Sequence, residues 1–539
     1  MAENGTFRVL VSDSFSETGL EVFRRAPGIE VDYKPGLKPE EQKAIIGQYH
    51  GLAVRSATKV NEDLLSAATN LRVVGRAGTG VDNVDLVGAT KRGICVMNTP
   101  GGNTVTTAEH AVSMMMSLAR KIPAATASLK GGKWEKNKFQ GTEMFNKVLG
   151  VIGLGQIGRV VADRAVGLKM RVIAYDPFVT AEHARDLHVD KVELDDLFAR
   201  ADFITIHVPK SRETENLVRA ETIAKMKKGV RIINCARGGI VNEKDLHDAL
   251  VSGHVAGAAL DVFAAEPCTD SPLFGLDNVV VTPHLGASTD EAQENVAVAI
   301  AEQMIDYLTR GVVTNSVNVP SVSQEVLKEL GPYLTLAEKI GRLHGQLTVG
   351  RVTPKGLEII YGGELTRFAA EPLKTLKIAI LKGLLSCWHD TEVNFVNAEH
   401  VAKTVHGIEP RESRSPAVED YHQYLTVVLT YPTGESRSLT GTIFGLNDIR
   451  LVKYDQKVLN IELEGHMLVM RNNDVPGVVG WVGTVLGDAK INIGNMRLGR
   501  SVADRTALTI VTTDEPVPDE VIAALKKNPA ITSAKRASL

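Results

Sequence analysis

Short apolar runs alternate with amphipathic stretches from residue 7 to residue 310. FRVLVSD, IEVDYK, GLAVRS, LRVVGRAG and ICVMNTP each read as a brief buried strand, separated by helix-patterned segments such as SETGLEVFRRA and NEDLLSAA. That alternation predicts a parallel, doubly wound sheet over residues 1–99. A second series follows: KVLGVIG, MRVIAYD, DFITIHVP, VRIINCARGG, HVAGAALDVF and NVVVTPH. Between the two series, TVTTAEHAVSMMMSLAR (104–120) reads as an apolar helix whose methionines pack in a core. GGKWEKNKFQG (131–141) is polar, with one exposed-looking Trp134, and suits either an arm that meets a partner subunit or an ordinary surface loop. Residues 289–311 predict a long helix, acidic at its start and closed by Arg310, as the helix dipole favours. It follows the last strand of the second unit and is expected to return to the first, making that unit discontinuous.

VNVP (317–320) reads as a linker. Beyond it, SQEVLKELGPYLTLAEKIGRLHGQL is helical in pattern, KGLEIIYGGE strand-like and EPLKTLKIAILKGLL helical, before an alternating, strand-rich stretch that reaches about residue 455. The remainder, from HMLVMRNNDVPGVVGWVGTVLG, reads strand–helix–strand–strand–helix–strand, a ferredoxin-like βαββαβ module with Pro476-Gly477 before its first helix. The expected fold class is therefore α/β: two doubly wound parallel-sheet domains, then an intervening α+β domain and a βαββαβ domain. The expected boundaries are 1–99 with 286–318, 100–285, 319–460 and 465–539.

The most informative stretch is Gly153-Leu154-Gly155-Gln156-Ile157-Gly158, which joins a buried strand to a helix and is followed by a second strand ending at Asp176. This is the arrangement of a dinucleotide site. Gly153 permits the turn, Gly155 lets backbone approach a pyrophosphate, and Gly158 lets helix and strand pack closely. Free N–H groups at the helix start would meet the phosphate charge. Asp176 lies about 18 residues past the last glycine, where a carboxylate accepts both ribose hydroxyls. Pro177 and Phe178 follow, with no Arg to receive a 2′-phosphate, so NAD is expected over NADP.

Composition changes this picture little. Apolar residues make up 44% and charged residues 23%, and the net charge is −3, which gives no electrostatic reason to expect nucleic acid or an anionic membrane as partner. No apolar run reaches the ~20 residues of a membrane span. MAENGTFRVLVSD enters a strand almost at once, so no signal peptide is expected. Cys95, Cys235, Cys268 and Cys387 lack CxxC spacing and read as reduced thiols of a cytoplasmic protein. The histidines form no HxxxH or similar pair, and no metal is expected.

The strand ends carry the candidate chemistry, because ligands of open α/β sheets bind at the carboxyl ends of the strands. In the first unit these are Arg55-Ser56 and Arg76-Ala77-Gly78-Thr79; solvated strand-end charges are the plain alternative. In the second they are His207 and Pro209, Arg237, Asp261 and His284. A nicotinamide enzyme needs a group to move the hydroxyl proton and a cation to orient the substrate. His284 is the candidate acid/base, Glu266 the carboxylate that would fix its tautomer, and Arg237 the bidentate carboxylate ligand.

Taken together, GLGQIG…YDP, INCARGGIVNE, LDVFAAEP and NVVVTPHLGAST resemble the D-isomer-specific 2-hydroxyacid dehydrogenases, over about residues 5–318. VRSATKV, GRAGTGVDNVD, NTPGGNTVTTAEH and GKWEKNKFQGTE look most like the phosphoglycerate dehydrogenases among them. Residues 321–455 resemble the intervening allosteric substrate-binding domain of the long form, and the last module resembles an ACT regulatory domain. The resemblance implies oxidation of 3-phospho-D-glycerate by NAD, the entry step of L-serine synthesis, by a homo-oligomer (dimer or tetramer). It implies a catalytic set of Arg237, Glu266 and His284. Implied cofactor contacts are Thr79, Gly153, Gly155, Gln156, Ile157, Gly158, Asp176, His207, Pro209, Cys235, Ala236, Arg237, Asp261, His284 and Gly286. Implied substrate contacts are Arg55, Ser56, Arg76, Gly78 and Asn103, with Lys136 reaching a phosphate across the dimer where relatives often carry Arg. An L-serine effector would meet Asn472, Asp474 and Asn492, where some relatives have His in place of Asn472. Two other readings stay open at this point: a reductase of unphosphorylated 2-oxoacids, and a cofactor-sensing interaction protein on the same fold.

Overall fold

The computed structural model describes residues 5–320, 324–348, 353–389, 391–416, 421–501 and 503–539. Among the described residues the strands form four sheets. The first is parallel and five-stranded, in the order Ile29–Tyr33, Phe7–Val11, Gly51–Val54, Val73–Arg76, Cys95–Asn98. Three of its helices start on side-chain caps: Ser16, Asn61 and Asp85 each accept an N–H from the first turn. The long helix Asp290–Arg310 does return to this sheet. Thr289 caps its start, Gly311 at φ 69° ends it, and Val296, Ile300, Ala301 and Met304 join the core of the first unit. Gly75 is the reason it can lie so close, since a Cβ there would collide with the Met304 thioether.

The second sheet is parallel and seven-stranded, in the order Val279–Val281, Val255–Leu260, Val230–Asn234, Phe203–Ile206, Val148–Ile152, Arg171–Tyr175, Asp190–Lys191. The chain order reverses between Val148–Ile152 and Phe203–Ile206, so a crevice opens there at the carboxyl edge. The helix Thr104–Arg120 packs on this sheet through Ala108, Ala111, Met114, Met115 and Leu118.

The third sheet has six strands, and the helices Gln324–Thr348 and Ala370–Leu385 cover it. Gly341, Gly345 and Gly383 let the two helices meet backbone to backbone: a Cβ on Gly341 would collide with the Ile380 carbonyl, and one on Gly345 would lie 2.6 Å from that of Leu384. Between Ala370–Leu385 and the helix Ala398–Val405, a short segment plugs into the first unit. Val396 is buried in that unit's core, and Asn394 Nδ2 donates to the Gly93 carbonyl at 2.9 Å.

The fourth sheet is antiparallel, with the helices Val478–Asp488 and Asp519–Leu525 in βαββαβ order. Met467, Val469, Leu508, Ile510 and Ala537 of this module share one apolar core with Leu336, Ile340, Leu425 and Val427 of the third unit. No helix among the described residues is long and apolar enough to cross a membrane.

Candidate active site

The glycine turn is built around three different needs. Gly153 has φ 93°, and a Cβ on it would sit 2.6 Å from the His207 carbonyl. A Cβ on Gly158 would run into the Gly153 carbonyl, so the helix Gln156–Gly167 reaches the strand only because that position is bare. Gly155 has open space where its Cβ would be and caps the helix without a side chain, leaving the first-turn N–H groups to a ligand. Asp176 is held at the end of the neighbouring strand by the backbone N–H groups of Leu154 and Phe178, each at 2.8 Å. Phe178 is 94% exposed. Opposite the turn, His207 Nε2 bonds Thr205 Oγ1 at 2.8 Å while its enclosed Nδ1 finds no protein partner. Burial lowers this imidazole to about 4, so it is neutral at physiological pH. An open phosphate cradle, an anchored carboxylate and an orphaned ring nitrogen are what a dinucleotide would complete, and the crevice fits NAD.

The next three strand ends lie side by side. Val230–Asn234 leads to Cys235, Ala236 and Arg237. Asn234 ties that turn together, accepting from Ala236 N–H at 3.0 Å and donating to the Arg237 carbonyl at 2.9 Å. Burial pushes the Cys235 thiol up, so it stays protonated. Val255–Leu260 leads to Asp261, which is fully buried and organises the adjacent loop. It accepts from Thr282 Oγ1 (2.6 Å), Leu285 N–H (2.7 Å) and Gly286 N–H (2.8 Å), and His110 Nε2 lies 3.2 Å away. Burial opposes ionisation of this carboxyl, but the bonds from His110, Thr282 and Leu285 outweigh it and hold it below the ordinary carboxylate range. The Asp261 carbonyl also receives the His284 N–H at 2.9 Å. His284, at φ 56°, thus projects from a clamped loop, and its Nδ1 meets Glu266 Oε2 at 2.7 Å. The other Glu266 oxygen accepts from Phe263 N–H at 3.0 Å. Nε2 of His284 is left for a reacting group.

The first unit faces this edge with arginines. Arg76 is half-buried, and its enclosed Nε has no partner. Burial, then the nearby charges of Arg237 and Arg55, lower it to about 10, with Asp82 and Asp13 acting the other way. It remains cationic at neutral pH. Gly78 has no room for a Cβ beside the Arg76 guanidinium, and its N–H donates to Thr99 Oγ1 at 2.8 Å. Arg55 Nη1 bonds Ser14 Oγ and Gln293 Oε1, both at 3.2 Å, beside the exposed Ser56. Thr79 Oγ1 donates to Asn103 Oδ1 at 2.7 Å, and Gln156 Oε1 lies 3.2 Å from Thr104 Oγ1, so both units meet at the start of Thr104–Arg120. Arg237 reaches across the cleft, its Nε donating to Asp82 Oδ2 at 2.9 Å and its Nη1 to the Ala236 carbonyl at 2.7 Å.

Residues 112–286 match the family described as D-isomer specific 2-hydroxyacid dehydrogenase, NAD binding domain. Residues 329–455 match the D-3-phosphoglycerate dehydrogenase intervening domain, and 466–530 the ACT domain. A D-3-phosphoglycerate dehydrogenase of Synechocystis is 44% identical over 98% of this chain and 94% of its own. The chain belongs to the D-3-phosphoglycerate dehydrogenase family. The protein of that name from Archaeoglobus fulgidus is 43% identical over 98% of this chain and 99% of its own. Among solved structures, an NAD+-bound 3-phosphoglycerate dehydrogenase of Entamoeba histolytica matches 58% of this chain and 99% of its own, with 30% identity and a TM-score of 0.50. The chain is an NAD-binding oxidoreductase with an ACT domain, and its four-part α/β architecture agrees with the expected fold class.

Several expected positions do not gather at this cleft. Lys136 lies exposed on the 3₁₀ turn Lys136–Phe139, near the 84%-exposed Trp134. Pro209 is exposed at the crevice rim. The three effector positions lie apart within one chain. Asn472 is buried, accepting from Thr509 Oγ1 at 3.0 Å and donating to the Asn473 carbonyl at 2.8 Å. Asp474 pairs with Arg500 at 2.8 Å. Asn492, bonded to Asp514, stands at the other end of the sheet: Asn472 is in register with Ala507, whereas Ile493 pairs with Thr513, roughly 20 Å along the strand. The fold also brings together two histidines that no spacing rule singled out, with His389 Nε2 2.9 Å from His406 Nε2. No cluster of three or more metal-ligating side chains occurs among the described residues. Asp82 and His110 carried no signal in the sequence beyond being polar residues near a strand end and on an apolar helix.

Proposed function

We propose that the chain oxidises 3-phospho-D-glycerate to 3-phosphooxypyruvate with NAD+, as the first step of L-serine biosynthesis. The observation that carries this reading is the His284–Glu266 pair at 2.7 Å on the cofactor crevice, facing a cleft edge where Arg55, Arg76 and Arg237 influence one another. In this reading the substrate-binding unit is 1–99 with 286–318 and the NAD unit 100–285, followed by the intervening (319–460) and ACT (465–539) units. NAD, when bound, supplies the hydride acceptor. His284 Nε2 takes the proton of the substrate hydroxyl, and Glu266 at Nδ1 holds the tautomer and stabilises the imidazolium that forms. Arg237 orients the carboxylate, and Arg55 and Arg76 favour a substrate with a second anionic group. Asp261 keeps the His284 loop in place through its backbone N–H groups.

L-serine as effector, with Asn472, Asp474 and Asn492 as its ligands, calls for the far ends of two ACT sheets to meet. That links effector binding to a homo-oligomer, dimer or tetramer, in which Lys136 reaches a neighbouring site. A cytoplasmic setting fits four cysteines that all stand free. Initial rates of NADH formation test the reading, with 3-phospho-D-glycerate beside D-glycerate and L-serine titrated in. A preference for the phosphorylated acid of about a hundredfold or more is expected. Equal rates would reduce Arg55 and Arg76 to solvated charges.

A further inference from the structure

We infer that Asp82 is a positioning residue for this reaction, fixing the Arg237 guanidinium for the substrate carboxylate only when the two doubly wound units are closed on each other. The inference rests on the reading of Arg237 as the carboxylate ligand.

Arg237 follows a strand of the NAD unit, whereas Asp82 lies on the turn after Val73–Arg76 in the first unit. Their bond, Nε to Oδ2 at 2.9 Å, therefore spans the cleft. The second hold on the guanidinium comes from its own unit, where Nη1 donates to the Ala236 carbonyl at 2.7 Å. A planar fork held at two nitrogens by acceptors on two different domains has one orientation, and it loses that orientation when either domain moves away. The third nitrogen, Nη2, lies over Gly80, where a Cβ would collide with it. Gly80 is thus bare for the sake of Arg237, and the turn that carries Asp82 also shapes the space into which the fork fits.

Stability does not account for the pair. The Asp82 side chain is 69% exposed, and an ion pair in that setting stabilises a fold little. Asp82 also acts on Arg76, against the like charge of Arg237, and so offsets the repulsion between the two arginines. Without it, the like charge of Arg76 would bear on the Arg237 guanidinium with less opposition.

The test is steady-state kinetics on the full-length protein with Asp82→Ala, Asp82→Asn, Gly80→Ala and Arg237→Lys, together with the double variant Asp82→Ala/Arg237→Lys. Asp82→Ala should lower kcat/KM for 3-phospho-D-glycerate by about tenfold or more, mainly through KM, with NADH affinity and melting temperature unchanged. Asp82→Asn keeps an oxygen that accepts from Nε and should recover most of that loss. Gly80→Ala should reproduce the Asp82→Ala defect by displacing Nη2. The double variant should be no worse than Arg237→Lys alone, because the two residues act as one unit. Normal kcat/KM in Asp82→Ala beside a crippled Arg237→Lys would overturn the inference and leave the role of Arg237 standing, as would losses that simply add in the double variant. Full activity of Arg237→Lys would overturn the role of Arg237 and the inference with it.

Discussion

The two doubly wound units share a plan but treat the end of their first strand in opposite ways. In the NAD unit, Val148–Ile152 runs into glycines, and the helix N–H groups beyond it are left open. In the first unit, Phe7–Val11 runs into Ser12 and Asp13, and the protein's own carboxylate fills the equivalent place. Asp13 accepts from Arg55 N–H at 2.7 Å, Thr58 N–H at 3.1 Å and Thr58 Oγ1 at 2.6 Å, and it is almost fully buried. One crevice is prepared for an anion from outside; the other carries a resident anion that ties down the strand bearing Arg55. The fold permits binding at both, and a handful of atoms at the strand end decides which one is used.

The largest effect should come from closing the open crevice. Gly153→Val must force φ 93° on a branched residue and push against the His207 carbonyl. NADH affinity, read by fluorescence, should fall by about a hundredfold or more. Emptying the filled crevice should act on folding instead. Asp13→Ala strands three donors in a buried site, and denaturant titration should show a loss of about 2–4 kcal/mol with NADH affinity retained. A loss of NADH affinity in Asp13→Ala would mean that the two crevices are not separate in function.

A smaller effect separates the two buried imidazoles that burial holds near 4. The enclosed Nδ1 of His207 has no protein partner, whereas His344 Nε2 donates to the Val427 carbonyl at 2.9 Å inside the third unit's core. The folded chain keeps His344 neutral, so on acidification the unfolded chain takes up the proton first. Its contribution to stability is complete above pH 6.5 and is lost as pH falls from 6.5 towards 4. Between pH 7.5 and 5.5 that amounts to about 1.4 kcal/mol. His344→Gln, which keeps a donor for Val427, should flatten this part of the stability–pH curve.

Legibility in the sequence followed how local each feature is. The glycine turn with Asp176 and the helix over 289–311 belong to short, contiguous stretches of chain, so pattern and spacing alone located them. The return of Asp290–Arg310 to the first unit could be read from the strand count, but its close seat on Gly75 could not. Asp82 escaped because its partner is 155 residues away and the pair exists only across a domain cleft. His110 escaped because its helix looks like plain core, and its polar contacts depend on where Asp261 and Thr282 fold. The effector positions show how sequence distance can mislead: Asn472 and Asn492 lie 20 residues apart, yet the antiparallel sheet carries them to opposite ends.

The common core of the third unit and the ACT module sets a limit on recombination. Leu463 and Met467, on either side of the join, are both buried in it, and Lys339 Nζ reaches the Leu463 carbonyl while Gln346 bonds Ser538. A splice at this boundary would cut through shared packing and expose Leu336, Ile340 and Val469 together. The two rear units should therefore travel as a single inherited cassette, and a join at 317–320 must also keep the seat of Val396 and Asn394 in the first unit.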